Sequence, residues 1–190
     1  MRLIFTFGIA LFFLLLAVGG WFLYDTWNHS AQIVEKGEIA TKSYSSLILE
    51  LEDATKMTPL RKELLPIVCM KKVVHQEGYL LFKKIHQHGA FHAVTMLVNS
   101  SDNRKTKLNE LMLAGLKEIR LDDCPEDFKQ VFNKYSEEYK NIHSDEKTGL
   151  RDNLYKKIDE YEQRLIEKYG KDAEKALEEI NSLHLKHTKP

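Results

Sequence analysis

The chain has no surplus of charge of either sign: 28 basic residues face 28 acidic ones over 190 residues. Only Arg2 precedes Asp25, so residues 25–190 hold 27 basic and 28 acidic side chains, and neither half of that part forms a basic field. Nucleic-acid binding needs clustered Lys and Arg to displace counterions from phosphates. Recognition of anionic headgroups needs a polybasic stripe beside an apolar segment. Both are missing, so no nucleic-acid partner is expected. Proline is scarce, with four residues, and no Pro-, Gly- or Ser-rich linker and no fixed repeat divides the chain. One domain behind the N-terminal segment is therefore expected. No stretch alternates apolar and polar residues with period two, which argues against a sheet. The motifs G-x-S-x-G, H-E-x-x-H and C-x-x-C, the Walker loop and the dinucleotide fingerprint are absent, and no enzyme is expected. His75-Gln76-Glu77 starts like a zinc helix but lacks a second His four positions after the first.

Long hydrophobic runs are also few: there is one. Residues 3–24 carry no charge. As a helix rising 1.5 Å per residue they span roughly 33 Å, against ~30 Å for the hydrocarbon core of a bilayer. Trp21, Tyr24 and Trp27 gather at the far end, where amphipathic rings favour the interface. Arg2 before the run and Asp25 after it place the N-terminus inside and the domain outside. The alternative is a cleaved signal peptide, with residues 3–16 as its apolar core and Ala17-Val18-Gly19 as small residues at the cleavage spacing. Apolar residues continuing through Trp21-Phe22-Leu23-Tyr24 favour an uncleaved anchor. No Cys follows the run, which excludes lipoprotein-type attachment. Residues 25–190 are expected outside the cytoplasm either way. The next apolar stretches, 64–70 and 90–98, are short and broken by Pro66 and His92. With only Met1 and Arg2 on the near side, the segment is expected to hold or deliver the domain rather than to signal.

Behind it, apolar residues recur at three- and four-residue steps, the pattern of amphipathic helices. A first helix is expected over about 30–57, with Tyr44, Leu47, Leu51 and Ala54 on one face. Thr58-Pro59 reads as a cap and first helical position. The helix that follows should kink or restart at Pro66 and end at His88-Gly89, with Gly as a left-handed cap. A short apolar helix over 90–98, one ending near Ile119, one opened by Asp123-Cys124-Pro125-Glu126, and two more either side of Gly170 complete the reading. The fold class is all-α: a bundle of five to seven helices.

Four groups of residues are candidates for a role. Cys69 and Cys124, the two cysteines, suit a disulfide in an oxidising compartment, the alternatives being buried thiols or a nucleophile. His86, His88 and His92 fall within seven residues, and zinc or copper is the cofactor alternative to none. Gly89 should separate His88 from His92, and no carboxylate or thiol is spaced to complete four ligands. Asp123 at the cap and Glu126 three residues on suit a capping arrangement better than an acid and base pair. Phe128, Phe132, Tyr135 and Tyr139 form a helical stripe, a partner face or, by default, core.

The run from Leu121 through Asp122-Asp123-Cys124-Pro125-Glu126-Asp127 to Phe128, continuing to Phe132 and Tyr135, resembles a Cys-Pro-x-Asp-Phe helix start in small uncharacterised exported bacterial helical proteins. The resemblance implies a bacterial source and a periplasmic domain, and no activity. The expectation is a single-pass inner-membrane protein, or one secreted to the periplasm, that binds another protein as an envelope adaptor or as a toxin-neutralising immunity protein. The alternative is a His-based metal or small-ligand binder.

Overall fold

The computed structural model describes the backbone of residues 2–98, 101–139 and 144–188, and the side chains of 17–89, 105–139, 149 and 151–183. Six α-helices account for nearly all of it: α1 (Arg2–Leu51), α2 (Pro59–Val98), α3 (Ser101–Leu116), α4 (Glu126–Glu138), α5 (Ser144–Tyr169) and α6 (Lys171–Thr188), with a 3-10 turn at Ala54–Lys56. The described residues contain no strand. The all-α reading and the helix number hold. The expected span 3–24 lies partly outside the described side chains, which begin at residue 17; among the described residues, no helix is long and apolar enough to cross a membrane.

α1 differs from expectation. It does not begin near Ser30 but runs unbroken for 50 residues. No proline interrupts it, and hydroxyls that would compete with the helix bond back onto it instead. Thr26 Oγ1 donates to the Phe22 carbonyl at 2.8 Å and Ser30 Oγ to that of Trp27 at 2.8 Å. Its inner face is Ala40, Tyr44, Ile48 and Leu51, all buried. Ala54 is not on that face: it is exposed in the 3-10 turn, which Asp53 opens by accepting from the Thr55 N–H at 3.0 Å.

Thr58 Oγ1 accepts from the Arg61 N–H at 3.2 Å and Pro59 takes the first position of α2. The helix runs through Pro66, which removes a single i to i−4 bond in a segment fixed on both sides by buried Leu64, Ile67, Val68 and Met70. The break comes at Gly89, with φ 82° and ψ 164°. That is not the left-handed helical cap expected but an extended conformation of positive φ, open essentially to glycine alone. Gly170, at φ 57°, does form a left-handed end, its N–H bonded to the Ile166 carbonyl at 2.7 Å.

α2 is the central helix and packs against α1, α3 and α5; α4 packs on α5, and α6 packs on α1 and α5. Cys69 on α2 is joined to Cys124 just before α4, closing a sequence separation of 55. In the chain-entropy model such a closure stabilises the fold by roughly 4 kcal/mol. The expected capping box beside it does not form. α4 starts at Glu126 behind Pro125, with no side-chain cap bond, so Asp123 stands outside the helix and Glu126 is its first residue. The cause is local: the residue before a proline is driven from helical geometry, and Cys124 is also held in a turn by its N–H on the Leu121 carbonyl at 3.0 Å. Phe128, Phe132 and Tyr135 are core rather than a partner face, at 0%, 2% and 3% exposure, and Tyr139 packs half-buried against them.

α1 and α2 run antiparallel in close contact. A Cβ built on Gly37 would lie 2.3 Å from Tyr79 Cδ1, and the Tyr79 ring is itself buried. Gly37→Ala should therefore cost about 1 to 3 kcal/mol through overpacking. Gly149→Ala, at an exposed helical position with open space around it, should be neutral or gain up to about 1 kcal/mol. Urea unfolding of the two variants beside the parent checks the contrast.

Candidate functional site

The register between α1 and α2 builds one side of a groove. Lys83 Nζ meets Glu38 at 2.9 Å, Thr41 Oγ1 meets the Tyr79 hydroxyl at 3.0 Å, and the His75 ring lies between Tyr44 and Tyr79 at centroid distances of 5.9 and 5.8 Å. α5 closes the other side with Arg151, Tyr155, Ile158 and Asp159, and Asn181 of α6 stands at one end. The space enclosed is about 790 Å³. Its walls are mostly apolar or aromatic, with Ile33, Tyr44, Val74, Tyr79, Tyr155 and Ile158 on them. Gly37 and Gly78 contribute no bulk.

The two ends differ chemically. At one, Lys71 Nζ is 2.6 Å from Glu162 and donates to Asn181 Oδ1 at 2.7 Å, with Asp159 nearby on the lining. At the other stand Ile33, Lys36, Gly78, Arg151 and Tyr155. Arg151 and Asp159 are eight residues apart on α5, about 12 Å along the axis.

Beneath the Arg151 end lies Glu77, 6% exposed. Tyr135 of α4 donates its hydroxyl to Glu77 Oε1 at 2.7 Å, and Arg151 Nε forms an ion pair with Oε2 at 2.7 Å. Burial, then the adjoining carboxylate, hold the Tyr135 phenol far above its ordinary range, and burial raises Tyr44 and Tyr139 as well. All three remain neutral donors at physiological pH. A second polar knot joins α4 to α5. Asp127 Oδ1 accepts from the Tyr161 hydroxyl and the Phe128 N–H at 2.9 Å each, with Lys157 at 3.5 Å from the other oxygen. Burial opposes ionisation of Asp127, but the Tyr161 hydrogen bond and the Lys157 charge outweigh it and its pKa is lowered.

The residues singled out in the sequence are not brought together here. Cys69 and Cys124 are spent on each other. His86 packs against Trp27 with ring centroids 4.0 Å apart and planes tilted by 46°, and its Nε2 lies 2.7 Å from Ser30 Oγ. The Ser30 proton is used on the Trp27 carbonyl, so Nε2–H donates to Ser30. His88 is exposed, and the side chain of His92 lies outside the described residues. Among the described residues no group of three or more His, Cys, Asp or Glu side chains gathers as for a metal. Glu77 and Arg151 were not singled out by sequence reading. The signal was present for Glu77: the apolar series Ile67, Met70, Val73, Val74, Leu80 and Leu81 has a carboxylate at its helical step. Compared with family models, curated proteins and solved structures, the chain matches none.

Burial lowers the pKa of His86 below its ordinary 6.5. The unfolded chain therefore takes up the proton first, so this contribution to stability is complete above about pH 6.5 and is lost as pH falls through the folded value. The melting temperature should drop between pH 7.5 and pH 5.5, and the drop should be smaller in His86→Asn. An equal drop in the variant would show that His86 is not the group responsible.

Proposed function

We propose that this chain is a membrane-tethered bacterial protein whose helical domain lies outside the cytoplasm and acts by binding another protein, as an envelope adaptor or a toxin-neutralising immunity protein. The observation that carries the reading is the surface of α1 beyond the bundle. Val18, Trp21, Phe22 and Tyr24 are 58 to 68% exposed, and Leu23 is 39% exposed. At 100° per residue these five side chains point all round the helix, so no single protein face covers them, whereas a bilayer does. The uncharged composition of residues 3–24 agrees with this.

The same helix then enters the core without a linker. From Tyr24 to Leu51 it rises about 40 Å, so tether and domain are one rigid stem that fixes the height and orientation of the bundle. A protein that must meet a membrane-bound partner gains from such pre-organisation, because less freedom is lost on docking. The nearly neutral surface suits a protein partner rather than a polyanion. The likeness of the Cys124-Pro125 segment to exported bacterial proteins points the same way. A second reading, a small-ligand binder, is favoured by the 790 Å³ groove and draws on none of His86, His88 or His92.

Alkaline carbonate extraction of cell membranes should leave the full chain in the pellet. Cross-linking in intact envelopes followed by capture should yield one partner in stoichiometric amount. A six-residue Gly/Ser insertion between Asp25 and Thr26, which keeps tether and domain but uncouples their orientation, should reduce that yield about tenfold. Release by carbonate would contradict the tether, and a chain without a stoichiometric partner would contradict the binding role.

A further inference from the structure

We propose that the groove between α1, α2 and α5 is a site for a small amphipathic carboxylate, held at its charged end by Arg151 and Lys36 and along its apolar body by Tyr44, Val74 and Tyr79. The proposal goes beyond the protein-binding reading and does not rest on it. Three observations converge.

The first is size and surface. At about 790 Å³ the groove falls within the ~300 to 1,000 Å³ typical of small-molecule sites, and it has their usual make-up of apolar and aromatic walls with few polar groups. The second is the state of Arg151. Its Nε lies 2.7 Å from Oε2 of the buried Glu77, an ion pair outside hydrogen-bond geometry, and the other oxygen of Glu77 accepts from the Tyr135 hydroxyl. Nη2 stands over Gly78 on the groove floor, 3.2 Å from where a Cβ would lie. A guanidinium placed over the groove floor can meet a carboxylate through two parallel hydrogen bonds. The guanidinium also lies 5.7 Å from the Tyr155 ring, which covers it from a further side.

The third is the distribution of charge. Lys36 and Arg151 share one end of the groove, and the one acid on the lining, Asp159, stands toward the other beside Lys71 and Asn181. An anion is thus favoured at the Arg151 end and disfavoured at the Asp159 end, which orients the ligand. Glu77 lies beneath Arg151 and balances its charge, which leaves the charge of Lys36 at this end. The site therefore suits a single carboxylate rather than a polyanion.

The test uses the full chain in lipid nanodiscs, with 4-phenylbutyrate and its neutral amide as probes. Saturation-transfer NMR would follow binding, with empty nanodiscs as background. The acid should bind about tenfold more tightly than the amide. Arg151→Lys keeps a charge beside Glu77 but loses the fork, and should weaken the acid about tenfold while leaving the amide unchanged. Gly78→Leu fills the floor from an exposed helical position where leucine is the better helix former, and should abolish binding of both probes. Equal affinity for acid and amide, absence of binding to the parent chain, or undiminished binding to Gly78→Leu would each overturn the proposal. Melting curves that show both variants folded at the assay temperature separate loss of the site from loss of the fold.

Discussion

A carboxylate taken out of water in the middle of a helical bundle constrains everything near it. The effective penalty for burying such a charge is several kcal/mol, and it is offset only if a counter-charge and hydrogen bonds arrive in good geometry. Glu77 has one partner from each of two other helices: the Tyr135 hydroxyl of α4 donates to Oε1, and the Arg151 guanidinium of α5 stands 2.7 Å from Oε2 as its counter-charge, outside hydrogen-bond geometry. The carboxylate therefore ties the position of α4 and α5 to that of α2. It cannot be satisfied in a bundle with α5 slid by one turn, since Arg151 would then lie about 5 Å away. An apolar core resists such a slide far less, because one hydrophobic contact substitutes for another.

Other features reinforce the same arrangement. The disulfide anchors Cys124, two residues before α4, to Cys69 in the first part of α2, and from there Phe128, Phe132 and Tyr135 enter the core at successive helical steps. Asp127 adds a second link from α4 to α5 through Tyr161 and Lys157. On the opposite side of α2, the absence of a side chain at Gly37 lets the Tyr79 ring lie against α1. The groove is what remains between these fixed positions, with α1 and α5 both packed on α2. Arg151 belongs to both, as the partner of the buried charge and as the cation presented at the groove end.

Much of this was legible in the sequence. Three- and four-residue periodicity gave the helices, Thr58-Pro59 gave the start of α2, and Gly89 gave its break, although the backbone there is extended rather than left-handed. The helical stripe on α4 was readable as core by default. What could not be read is what depends on three-dimensional partners. Asp123 and Glu126 have the spacing of a capping box, but Pro125 shifts the helix start past Asp123. α1 has no feature at Ser30 that would begin a helix; an apparent boundary between an apolar run and an amphipathic one is not a break in the backbone. Arg151 sits among ordinary surface charges of α5 in sequence, and nothing local marks it as the partner of a residue 74 positions earlier. The clustering of His86, His88 and His92 was the more visible pattern, yet His86 turns to Trp27 and Ser30.

The dependence of the bundle on the Glu77 charge is measurable by a double-mutant cycle with apolar replacements. Arg151→Met leaves the buried carboxylate without its counter-charge and should cost about 3 to 5 kcal/mol. Adding Glu77→Leu removes the stranded charge and should recover most of that loss, giving a coupling of at least about 2 kcal/mol between the two sites in chemical denaturation. Additive losses, with the double variant as unstable as the sum of the single ones, would contradict the account.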